Sequence, residues 1–173
     1  MKRWWLGLLA LAVLGGPLAL GYWGSPCDDF GNPILLTPAR WQERRFLRDA
    51  TAWTADLAAV EAGLRELTAS PPPQSTGEAF RLAGRAGEAL NRLEQLLPPE
   101  APPNYVLLGL SMRQTRDTYS VATELLLAFY GSHDPAQLAA AQAALLDASA
   151  LRQDLHLGLT GLTAPLCREV WRD

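Results

Sequence analysis

The chain has 173 residues, 49% apolar and 19% charged, with a formal net charge of −3. That composition excludes wholesale disorder and gives room for one domain of ordinary size plus a short extra segment. Two of the 15 basic residues, Lys2 and Arg3, precede the first apolar run; the remaining 13 face 18 acidic residues, a balance of −5 that excludes the basic face of a general nucleic-acid binder.

Trp4 to Gly24 carries no charge and follows Lys2-Arg3. As a secretory signal, the apolar run Trp4–Leu14 would be followed by the breakers Gly15-Gly16-Pro17 and cleavage after Gly21, framed by Ala19. As an uncleaved anchor, the stretch is long enough to cross a hydrocarbon core of about 30 Å. Trp4-Trp5 and Tyr22-Trp23 stand at its two ends, where interfacial aromatic belts belong. The paired aromatics favour the anchor. Both readings keep Lys2-Arg3 inside and place everything after Gly24 outside the cytoplasm. Lipidation of Cys27 is the poorer fit, because Pro26 directly precedes it and no lipoprotein box is present.

Residues 25–37 read as a connector, and Thr37-Pro38 gives an N-cap followed by proline at the first helical position. Phe46, Ala50, Trp53, Leu57, Val60, Leu64 and Leu67 then alternate steps of four and three, the seam of a helix of about 30 residues. Ser70-Pro71-Pro72-Pro73 stops it. Ser75 with Glu78 forms a capping box for a second helix, with the expected seam Ala79, Ala83, Ala86, Leu90, Leu93 and Leu97.

After the turn Pro98–Pro102 comes the most regular stretch of the chain. Tyr105, Leu108, Met112, Thr115, Tyr119, Ala122, Leu126 and Phe129 form an unbroken three–four pattern, with Gly131 as the expected C-terminal cap. Asp134-Pro135 then begins a fourth helix that buries Leu138, Ala141, Leu145 and Ala148, and its face continues at Leu151 and Leu155. Arg152 occupies the strict heptad position, so the seam is expected to slip there, and the helix to give way near Gly158. Four amphipathic helices with short connections pack as antiparallel neighbours. The fold class is therefore all-α: an up-down-up-down four-helix bundle over 38–157, with an N-terminal membrane segment (1–24), a connector (25–37) and a tail (158–173).

Chemistry-bearing motifs are scarce. Cys27 and Cys167 fall at one end of this topology and outside the cytoplasm, so a disulfide between them is expected. Closing so long a loop would stabilise by about 4–5 kcal/mol in the chain-entropy model. His133 and His156 are the only histidines, and neither has a glutamate three residues before it, so the Glu-x-x-His pairs of di-iron bundles are absent. No cysteine cluster, nucleophile elbow, phosphate loop or dinucleotide fingerprint is present, and no catalytic, metal or cofactor residue is assigned. Apart from Arg152, charges lie off the seams, as at Asp49, Asp56, Glu61, Asp117 and Glu124, so a buried acid is not expected.

Two surfaces remain. Arg40, Arg44 and Arg48 line one face near the start of the first helix, in reach of anionic headgroups. Ala79, Ala83 and Ala86 of the second helix face Phe129 and Tyr130 of the third, where an apolar slot would take a ligand or partner helix. The leading expectation is a membrane-tethered, extracytoplasmic, non-enzymatic interaction or accessory module with a protein partner. The alternative is a small-molecule or lipid binder using that slot.

Overall fold

The computed structural model describes Ser25, Cys27 and residues 37–162. Among these the protein is all-helical: α1 (Pro38–Ala69), α2 (Thr76–Gln95), a 3-10 turn (Pro103–Tyr105), α3 (Val106–Ser132) and α4 (Pro135–Leu162). Residues 43–161 form one compact unit, and the described residues outside it belong to another. In the latter, Cys27 is buried. Thr37 caps α1 as expected, its Oγ1 accepting from the Arg40 backbone N–H at 3.3 Å. The apolar run 4–24 and Cys167 lie outside the described residues. No helix among the described residues is long and apolar enough to cross a membrane.

Within residues 43–161 the four helices pack into a bundle around one core. All seven expected seam residues of α1 are buried. Leu47, Thr54 and Glu61 are buried as well. These three follow seam positions 46, 53 and 60 at seven-residue spacing, so α1 turns a stripe wider than a two-position seam toward its neighbours.

On α2 the Ser75 cap forms, its Oγ accepting from the Glu78 N–H at 3.2 Å, while the Glu78 carboxylate accepts from the Gln74 N–H at 2.9 Å. The seam differs from expectation after Ala79. Leu82 is buried and Ala83 only half-buried, and Leu97 is exposed while Leu96 packs inward. The small alanines permit either phase, and burying Leu82 in place of Ala83 removes the larger apolar area from water.

On α3 Met112, Thr115, Tyr119, Ala122, Leu126 and Phe129 are all buried, and Asp117 and Glu124 point outward. The helix runs through Gly131 to Ser132, so Gly131 is not the cap. His133 takes the left-handed conformation instead (φ 59°), its N–H donating to the Phe129 carbonyl at 2.7 Å. Burial of Tyr130 holds the last turn helical. At its other end α3 needs a glycine. A Cβ on Gly109 would lie 2.7 Å from the Ala101 Cβ, where the proline-rich turn crosses the helix.

Asp134 caps α4, its Oδ1 accepting from the Ala136 N–H at 2.9 Å. The α4 seam does not slip at Arg152. Ala141, Leu145, Ala148, Leu155 and Leu159 are buried in strict three–four spacing, with Arg152 kept on the seam and half-buried. The helix also continues past Gly158 to Leu162. Burying Leu159 outweighs the roughly 1 kcal/mol that a mid-helix glycine costs.

Contacts with α1 organise the bundle. Near the starts of α1 and α3 the rings of Phe46 and Tyr105 lie 5.6 Å apart, and near their ends the Tyr130 hydroxyl donates to the Leu67 carbonyl at 3.1 Å. Trp53 Nε1 donates to the Leu96 carbonyl at 3.1 Å, and Arg85 pairs with Glu66 at 3.0 Å, joining α1 to α2. Gln142 Nε2 donates to the Thr68 carbonyl at 3.2 Å, joining α1 to α4.

Candidate functional site

The expectation that no acid is buried fails at Glu61. It is only 4% exposed, in the C-terminal half of α1 on the Leu47–Thr54 stripe. Three helices supply its partners. Tyr119 of α3 donates its hydroxyl to Oε2 at 2.5 Å, and Arg152 Nε of α4 donates to the same oxygen at 2.7 Å. Ser149 of α4 donates to Oε1 at 2.9 Å, and the Arg65 guanidinium reaches Oε1 at 2.6 Å from one turn along α1. Arg65 also donates to Ser149 Oγ at 2.8 Å, closing the cluster toward the surface.

The electrostatics follow from this geometry. Burial pushes the Glu61 carboxyl up, but hydrogen bonds from Tyr119, Arg152 and Ser149 and the charge of Arg152 more than offset it, holding the group at about 2. Burial pushes the Tyr119 phenol up, and its bond to the Glu61 carboxylate pushes it further. Burial alone would lower Arg152, but the Glu61 carboxylate raises it. The pair is therefore ionised, with a neutral phenol beside it.

That arrangement is poorly suited to acid–base chemistry. A general base works best with a pKa near the operating pH, and a carboxyl held at about 2 is a weak base. A carboxylate offers about four lone-pair directions; three donors already bond Glu61, and the Arg65 guanidinium pairs with it at 2.6 Å. No buried side-chain polar atom among the described residues lacks a hydrogen-bond partner. The cluster clasps α1, α3 and α4 together.

The residues singled out in the sequence are not drawn into this cluster. Ala79, Ala86, Phe129 and Tyr130 are buried and Ala83 half-buried, with the Phe129 and Tyr130 rings 5.3 Å apart. Arg40 and Arg48 are exposed and Arg44 half-buried. Arg48 bonds Asp49 at 3.3 Å, and Arg45 pairs with the same carboxylate at 3.6 Å. Glu43 accepts from Asn104 Nδ2 at 2.7 Å. Of the cysteines, Cys27 is buried and Cys167 is outside the described residues. His133 and His156 are exposed, and among the described residues no group of three His, Cys, Asp or Glu side chains could hold a metal ion.

Sequence reasoning missed Glu61, although two signals pointed to it. Arg152 and Tyr119 both sit on otherwise apolar seams, and each needs a buried partner. An acid on a neighbouring helix satisfies both. No family model, curated protein or solved structure matches the chain.

Proposed function

We propose that the chain is an extracytoplasmic up-down-up-down four-helix bundle, held at the membrane by its N-terminal segment and acting as a non-enzymatic interaction module. The observation that carries the non-enzymatic reading is the internally partnered Glu61 carboxylate. The buried acid that would be the natural catalytic group accepts three internal hydrogen bonds, pairs with Arg65 and is strongly acidic. The up-down order is supported by the contacts of α1, which meets α3 start to start and α2 and α4 in the opposite sense. The tether is supported by Lys2-Arg3 ahead of an uncharged stretch bracketed by aromatic pairs. A bridge between Cys27 and Cys167 would join the connector to the tail, consistent with the burial of Cys27.

Two measurements test this reading. The mature protein should keep Met1 and stay with membranes through an alkaline carbonate wash; a mature N-terminus at Tyr22 with release into the soluble fraction would remove the tether. Tyr119→Phe keeps the ring but takes away the hydroxyl at Glu61. A Tyr119→Phe chain that still folds should retain whatever cellular phenotype deletion of the protein abolishes. Loss of that phenotype in a folded, membrane-bound variant would restore an enzymatic role for the cluster.

A further inference from the structure

Exposed large apolar side chains are unevenly distributed over residues 43–161. Five of the eight there, Leu97, Val106, Leu107, Leu110 and Leu157, lie in the half of the bundle where the chain enters at Glu43. Two contacts fix that end: Glu43 bonds Asn104, and Phe46 packs on Tyr105. Three of the five form a single patch. Val106 and Leu110 are four residues apart and Leu107 and Leu110 three, so all three share the outward face of the first turns of α3. They are 52%, 53% and 80% exposed in that order. Met112, on the seam of the same turns, is fully buried, so the exposure of these three is not a frayed helix end.

The chemistry of the patch narrows its occupant. From Ala101 to Met112 no side chain is charged, and the first charge beyond is the exposed Arg113. An apolar face with a cation at its edge and no carboxylate within it matches the boundary between acyl chains and anionic headgroups. Chain length points the same way. The connector 25–37 has 13 residues and reaches about 45 Å at most when fully extended. From Glu43 to Ala69 helix α1 carries the chain about 40 Å further away at 1.5 Å per residue. The entry end is therefore the one nearer the proposed tether along the chain, and tethering raises its effective concentration at the bilayer so that weak insertion suffices.

We infer that the outward face of early α3, centred on Val106, Leu107 and Leu110 with Arg113 at its edge, docks on the lipid surface. This rests on the tether proposed above, and the bundle then lies against the membrane instead of swinging free on its connector.

The test uses the full chain reconstituted in phosphatidylcholine–phosphatidylglycerol vesicles, with photoreactive benzoylphenylalanine placed at position 107 or, at the opposite end, at position 80. Both native residues, Leu107 and Phe80, are highly exposed, so the probe disturbs no core packing. After flotation and irradiation, lipid adducts are expected at 107 and none above background at 80. The double change Leu107→Glu and Leu110→Glu, with the probe at 106, should abolish the lipid adduct while the protein still floats. Floating protein without a lipid adduct at 107, with equal adducts at 107 and 80, or with cross-links to a second copy of the chain overturns the docking face and leaves the tether intact. Protein that fails to float overturns the tether and the docking face together.

Discussion

Replacing Glu61 by alanine is the sharpest test of the clasp. The carboxylate accepts from Tyr119, Ser149 and Arg152, all on other helices, and pairs with the Arg65 guanidinium on its own. Its removal leaves the half-buried Arg152 guanidinium without an anion and two hydroxyls without an acceptor. Breaking a buried ion pair from one side costs about 3–5 kcal/mol, because the surviving charge stays buried and unpaired. Arg65, 58% exposed, is mostly solvated, so Arg65→Ala should cost about 1 kcal/mol or less. Urea unfolding of the full chain in detergent, followed by circular dichroism, measures both. A pH series adds an independent signature. The folded carboxyl sits at about 2 against an ordinary value of 4.5, so the ionised form is favoured in the folded state. The resulting stability is fully present above pH 4.5 and is lost as pH falls toward 2. At about 1.4 kcal/mol per pH unit the loss amounts to about 3 kcal/mol. Glu61→Gln should flatten that part of the profile. If Glu61→Ala cost no more than Arg65→Ala, and the acid profile were the same with and without the carboxyl, the buried clasp would be wrong.

Further outcomes follow from packing. Leu57→Ala and Leu126→Ala should each cost about 2–5 kcal/mol by the same unfolding assay, since both are almost fully buried. Glu124→Ala, on the outward face of the same helix as Leu126, should change stability by no more than about 0.5 kcal/mol. Gly109→Ala should destabilise by about 1–3 kcal/mol because the new methyl meets Ala101, whereas Gly84→Ala has open space around it and should stabilise by about 0.5–1 kcal/mol. Non-reducing peptide mapping of protein from its native compartment should give one cross-linked peptide holding Cys27 and Cys167; two free thiols would refute the bridge.

The sequence alone determined the helices, because their signals are local. Prolines at 71–73 and 98–99 stop the chain, Ser75, Thr37 and Asp134 cap it, and a three–four spacing sets each buried face. The seam of α3 was legible almost residue for residue, and the opposite environments of Leu126 and Glu124 follow from its phase. Where small residues leave the phase open, as at Ala79, Ala83 and Ala86, the sequence could not choose; contact with the other helices did. The clasp needed the tertiary structure for a stronger reason. Glu61 lies 58, 88 and 91 residues from Tyr119, Ser149 and Arg152. Along α1, Asp49 and Asp56 flank one edge of the seam and Leu47 and Thr54 the other, which favours the second as the inward edge, but Glu61 on that edge breaks the apolar pattern. An acid on a flank reads as solvated until helices bring an arginine, a phenol and a hydroxyl to it. Only then does burying its charge become favourable, because the partners that offset the lost hydration come from elsewhere in the chain.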